Sequence, residues 1–197
     1  MITEKKLHRR QEILQTIAFQ LENNPGVPIR TAALAKAIGI SEAALYRHFP
    51  SKAKMFEALI QFAEETIFSR INIINKEQQS VFVRCEATVH LILTFSDRNP
   101  GIMSILTGNA IMGESEKLRT RVTQLFDRLE TQLKQFLREG IMHGEITDDN
   151  NITMLANIFS AYISGKICQF QRSNFKQSPL IHSEEQWTEL SQMIQKT

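Results

Sequence analysis

The sequence predicts an all-α chain, and three observations carry that expectation. Apolar residues recur at spacings of three, four and seven through most of its length, as one-sided helices require. Only 8 Gly and 5 Pro interrupt 197 residues, too few to punctuate a many-stranded β fold. At 42% apolar and 22% charged residues the composition is ordinary for a globular protein, which excludes disordered and collagen-like readings. The length allows one domain or two small ones.

Residues 4–23 read as a first helix, with Leu7, Leu14, Ile17, Ala18 and Leu21 on one face and Asn23-Asn24-Pro25-Gly26 as its stop. Thr31 opens a short helix that runs to Ile38, and Gly39 closes it. Ser41 is placed to cap a second short helix, Glu42 to Phe49, without a capping box because Ala44 stands three residues on. Leu34, Ala35, Ile38, Ile40, Leu45 and Phe49 are the expected core of this pair. After Pro50, Ser51 caps a longer helix, Lys52 to about Asn75. An apolar helix from about Val81 to Phe95 is broken at Arg98-Asn99-Pro100-Gly101, and a short helix, Ile102 to Leu106, follows.

Residues 114–139 form the cleanest amphipath. Leu118, Val122, Leu125, Leu129, Leu133 and Phe136 approach a heptad seam. It is too short for a purely structural coiled coil and fits the packing of a helical body. Gly140 to Asp149 read as a loop. A helix from about Asn151 to Asn174 carries Leu155, Ile158, Phe159, Tyr162, Ile163, Ile167 and Phe170. A last one spans Glu184 to Ile194.

Two cysteines, Cys85 and Cys168, fit buried thiols in a reducing cytoplasm, not a disulfide framework or a zinc site. No stretch approaches ~20 apolar residues, and MITEKKLHRRQEI lacks the apolar block of a signal peptide, so a cytoplasmic protein is expected. The five histidines fall at no ligand spacing, and no HExxH, GxSxG, GxGxxG or GKS/T pattern occurs. Glu64/Glu65 and Asp148/Asp149 are adjacent pairs that diverge instead of sharing a site. The reading is therefore not an enzyme, with no metal and no cofactor.

The net charge of +2 is uneven. Residues 1–54 carry nine Lys/Arg, including Lys5, Lys6, Arg9 and Arg10, against four acids, while residues 55–197 carry 14 against 17. A basic quarter on a mildly acidic remainder suits a polyanion-binding module. The informative block is residues 29–56, IRTAALAKAIGISEAALYRHFPSKAKMF. Two short helices joined at a Gly-containing turn make a helix-turn-helix, whose second helix enters the major groove with its N-terminal residues against base edges. Those residues are Ser41, Glu42, Ala43 and Ala44. A Ser hydroxyl bonds base or phosphate, Glu accepts from cytosine N4, and Ala touches a thymine methyl. Tyr46 and His48 near the helix end, Lys52 at the start of the next helix and Thr31 at the front of the preceding one suit phosphate contact.

The pattern AxLAxxxGISxxxLYxHFPSKxxMF resembles the TetR-type regulators over about residues 7–67. The resemblance implies a TetR-like homodimer: a three-helix DNA domain over 7–67, a dimerisation and partner-binding domain over 68–197, and paired recognition helices on a palindrome. The interface would be a bundle of the late helices, about 151–174 and 184–195. Three further segments, FSDRNPGIMSILTGNAIM, RVTQLFDRLETQLKQFLREG and RSNFK, are similar to the nucleoid occlusion branch of these regulators. That similarity implies a nucleoid-associated protein which binds the C-terminal tail of the division GTPase FtsZ and blocks ring assembly over DNA. The implied tail-binding positions are Phe62, Arg70, Leu91, Arg98 and Asn99. Thr94 stands where this branch leads one to expect Gly. The alternative is a ligand-responsive repressor whose pocket would use Met103, Met112, Met154, Tyr162 and Trp187.

Overall fold

The computed structural model describes residues 2–78, 80–147 and 151–195, and the described residues form nine helices and no strand. Side-chain positions are described from Leu7 to Gln192, so Lys5 and Lys6 lie outside them, as do Asp148 and Asp149. Helix α1 spans Ile2–Asn23, α2 Thr31–Ile38, α3 Glu42–His48, α4 Lys52–Glu77, α5 Val81–Arg98, α6 Pro100–Leu106, α7 Glu116–Met142, α8 Ile152–Arg172 and α9 Ser183–Gln195.

Local chemistry sets most of these ends. Gly39 adopts φ 74° and donates its N–H to the carbonyls of Ala35 and Lys36, closing α2. Ser41 Oγ accepts from the Ala44 N–H at 3.1 Å, and Ser51 Oγ accepts from the Lys54 N–H at 3.2 Å. Two ends differ from the expectation. Asn99-Pro100 does not merely break α5, which runs on to Arg98; Pro100 opens α6 at its first turn, where its missing N–H costs nothing. Helix α7 also continues through Gly140 to Met142. Gly140 is the residue that fits there, because a β-carbon would sit 2.8 Å from Ile146 Cδ1 and 3.2 Å from Val81.

The residues group into two compact units that interleave along the chain. The first is Met1–Ala63 with Asn99–Val122. Within it α1 packs on α2, α3 and α6. Its core is the α1 stripe Ile13, Ile17 and Leu21, with Leu34, Leu45, Phe49, Phe56, Met103 and Ile105, all buried. Of the expected α1 face, Leu7 is instead exposed. Ile38 and Ile40 are half-buried rather than core. Helices α1 and α6 approach so closely that a β-carbon on Gly101 would fall on the Ala18 carbonyl.

The second unit is Glu64–Arg98 with Thr123–Thr197, in which α5 packs on α8 and α9. Its share of the α7 seam, Leu125, Leu129, Leu133 and Phe136, is buried. Phe159 meets Trp187 at 5.0 Å between ring centroids. A charged pair lies inside this unit: Arg84 Nη1 donates to Glu139 Oε2 at 2.5 Å and to Asn75 Oδ1 at 2.9 Å, and its guanidinium sits 5.1 Å from the Phe136 ring centroid. Cys85 is buried, and burial pushes its thiol up to about 12. Cys168 is exposed on the described chain, not buried as its apolar neighbourhood suggested. No described helix is long and apolar enough to cross a membrane.

Candidate nucleic-acid interface

Helices α2 and α3 pack on α1 in the first unit and hold the helix-turn-helix. Leu45 and Phe49 bury the inner side of α3. That leaves Glu42, Ala43, Tyr46 and Arg47 exposed on the outer side, the i, i+4 face of the helix. Ala44 is half-buried, with its N–H committed to the Ser41 cap. Ala43 therefore presents the more open methyl group. Arg47 was not singled out by the sequence pattern; its register with Ala43, four residues earlier, is what places it on this face.

Three of the candidates are joined. Thr31 Oγ1 donates to Glu42 Oε2 at 2.9 Å, and the Tyr46 hydroxyl approaches Thr31 Oγ1 at 3.4 Å. Glu42 and Tyr46 are exposed and Thr31 is half-buried, so the network fixes side-chain directions at the junction of α2 and α3 while leaving two of its members open to solvent. Glu42 thereby has a positioning role: its carboxylate orients the Thr31 hydroxyl from across the turn. His48 is half-buried at the end of α3.

The C-terminal end of α3 is clamped from α1. Arg10 Nη1 donates to the His48 carbonyl at 2.5 Å, and its guanidinium lies 4.1 Å from the Phe49 ring centroid. A cation at a helix C-terminus is favourable, and the ring contact adds to it. Arg10 thus fixes the recognition helix from behind. Arg9 is paired with Glu12 at 2.7 Å. At the start of α4, Lys52 Nζ lies 2.5 Å from Glu114 Oε1 and Lys54 Nζ 2.5 Å from Glu57 Oε2. The hydrogen bond from Lys54 holds the Glu57 carboxyl below its ordinary range.

The partner candidates fall in both units. In the first, Phe62 projects from α4 with 48% of its surface exposed, and Asn99 stands at the N-cap position of α6 without a side-chain cap bond. In the second, Arg70 is exposed on α4, Leu91 is half-buried on α5, and Arg98 is exposed as the last residue of α5. Leu91 and Arg98 are seven residues apart, so they share one face of α5, with Thr94 between them. The Thr94 hydroxyl oxygen is buried and has no hydrogen-bond partner. The residues of the alternative pocket fall in both units. Met103 is core of the first unit, Met112 and Met154 are exposed, Trp187 packs on Phe159, and the Tyr162 hydroxyl donates to Gln186 at 3.1 Å.

A family model described as "Bacterial regulatory proteins, tetR family" matches residues 29–59. A second, "Tetracyclin repressor-like, C-terminal domain" of SlmA-like type, matches residues 79–195. The chain is 50% identical over 194 residues to the nucleoid occlusion factor SlmA of Shewanella denitrificans, covering 98% of each chain. It is 51% identical over 193 residues to that of a Marinomonas species, again over 98% of each. The chain belongs to the SlmA family of nucleoid occlusion factors. Among solved structures, a TetR transcriptional regulator from Chloroflexus aurantiacus superposes with a TM-score of 0.77 at 22% identity, covering 98% of both chains. The transcriptional regulator FadR of Bacillus subtilis, in complex with stearoyl-CoA, does so with 0.72 at 16% identity over 93% of this chain and 97% of that one. At these identities the likeness is one of fold. Membership of the SlmA family makes this a DNA-binding regulator of TetR type, not an enzyme, and the likeness extends through the C-terminal body.

Proposed function

We propose that this protein is a DNA-activated inhibitor of cell division, located on the nucleoid in the cytoplasm. As a homodimer built on its late helices, it binds palindromic chromosomal sites, one or more dimers to a site. So placed, it captures FtsZ tails and prevents division-ring assembly over DNA. The observation that carries this reading is the extent of identity with the SlmA family. About half of all residues match across 98% of the chain, in the body as well as in the helix-turn-helix that every TetR-type regulator shares.

In this mechanism Ser41, Glu42, Ala43 and Ala44 meet base edges, with Ala43 making the main methyl contact. Thr31, Tyr46, His48, Lys52 and Arg47 hold phosphates and fix the register. The exposed apolar ring of Phe62 and the exposed guanidinium groups of Arg70 and Arg98, with Leu91 and Asn99, engage a short tail that carries apolar and acidic groups. Residues 7–67 form the DNA domain and 68–197 the dimerisation and partner domain. DNA raises the local concentration of the dimer on the chromosome. It also activates by linkage, favouring the tail-binding state over the other.

The test is Arg98→Asp, measured in parallel on a self-selected palindromic duplex and on an FtsZ tail peptide with that duplex present. Duplex binding equal to wild type with tail capture lost is the expected result. Unchanged capture would remove Arg98 from the partner surface. Duplex binding with no tail capture by the wild type would leave a ligand-responsive repressor.

A further inference from the structure

Lys52 is the cation best placed by sequence to hold a phosphate, yet in the DNA-free chain it is already engaged. Its ammonium lies 2.5 Å from Glu114 Oε1, and the two side chains are only 31% and 18% exposed. Glu114 arrives from 62 residues along the chain and is held in place by its own turn. Gly113 takes φ +81°, and the Glu114 N–H donates to the carbonyl of Ile111, which is fully buried. Glu114 lies in the turn just before α7, and a second pair, Arg121 to Glu57 at 3.5 Å, ties α7 itself to α4. Lys52 can therefore exchange partners while α4 and the start of α7 stay together within the first unit.

We infer that Glu114 is an internal counter-ion that a DNA phosphate must displace from Lys52, so that this carboxylate sets DNA affinity. The inference rests on the phosphate-binding reading of Lys52. A partly exposed ion pair is worth up to about 1 kcal/mol, which is about fivefold in affinity. Breaking it subtracts that from every duplex, specific or not, because phosphates carry no sequence. The resting pair also lowers the affinity for non-cognate DNA at no cost to base readout.

The experiment is fluorescence anisotropy at low salt on the selected palindrome and a scrambled duplex. It compares wild type, Glu114→Gln, Glu116→Gln, Lys52→Ala and the Lys52→Ala/Glu114→Gln double variant. Glu116 is exposed at the first turn of α7, so it controls for loss of a nearby negative charge. Glu114→Gln is expected to tighten both duplexes by up to about fivefold, to exceed Glu116→Gln, and to lose its gain in the Lys52→Ala background. No gain, an equal gain from Glu116→Gln, or a gain that survives Lys52→Ala overturns the inference. If Lys52→Ala alone binds like wild type, the underlying phosphate contact is what fails. Glu114→Ala, judged by the same criteria, substitutes should Glu114→Gln melt below the assay temperature.

Discussion

At Thr31 a single hydroxyl links the first turn of α2 to Glu42 and Tyr46 on α3. Residues proposed to touch DNA are thus partly organised before DNA arrives, which lowers the ordering cost of binding. Lys52→Ala should weaken binding to all duplexes and reduce the slope of log affinity against log salt by about 0.9, one phosphate's worth. A salt titration on random DNA checks it, and an unchanged slope would remove Lys52 from the phosphate contacts. The Arg84–Glu139 pair ties stability to pH. Burial alone would raise the Glu139 carboxyl, but hydrogen bonds from Gln135 and Arg84 outweigh it and hold the group below its ordinary value of 4.5. A depressed carboxyl stabilises the fold above its unfolded value, and that stability is lost as pH falls through the folded one. Glu139→Gln should cost about 3 kcal/mol near neutrality by leaving Arg84 under-compensated, and the gap should shrink below about pH 4. Denaturant melts at both pH values measure this; a gap independent of pH would contradict it. The Ser41 cap of α3 was legible in the sequence because a cap lies next to the helix it closes. The Arg10 clamp and the Glu114 pair were not, because each joins residues 38 and 62 positions apart and no local periodicity encodes such a meeting.

Helix α6 is the element whose role depends most on one residue. It packs on α1 through Gly101, where even a methyl group meets the Ala18 carbonyl. Gly101→Ala should destabilise by about 1–3 kcal/mol despite the better intrinsic helix propensity of Ala. A melting temperature at or above wild type would show that α1 and α6 can separate freely. Arg10→Ala tests the contact of α1 with the end of α3. It should cost about 1 kcal/mol and loosen the end of α3, read as faster amide exchange at His48 and Phe49. Equal exchange in both proteins would reduce Arg10 to a surface charge. The helices themselves were readable from apolar spacing and from Ser and Gly caps, since both signals are local. What failed was local too, but ambiguous: Gly140 read as a stop and Pro100 as a breaker. In the fold, Gly140 makes room for Ile146, and Pro100 starts a helix. Glycine and proline punctuate a chain in more than one way, and the choice is made by what packs against them. The short apolar run of α6 carries no signal of which helix it covers.

For the whole molecule, two interleaved units carry different elements: one presents the helix-turn-helix, and the other packs α8 and α9 on α5. The DNA-binding half of the function was legible because its motif is compact and its residues sit within 22 positions. The partner candidates Phe62, Arg70, Leu91, Arg98 and Asn99 are individually ordinary. An exposed Phe or a solvated Arg has no signature of its own, so family resemblance alone drew attention to them. The proposed mechanism joins the halves: in it, antagonism of FtsZ depends on occupancy of specific DNA. The most direct measurement is sedimentation of GTP-assembled FtsZ with this protein added, in the presence of either its self-selected palindrome or a scrambled duplex. Loss of sedimenting polymer with the palindrome only, at protein concentrations that leave assembly intact with the scrambled duplex, is the predicted result. Equal polymer in both reactions, with the palindrome fully bound, would contradict it.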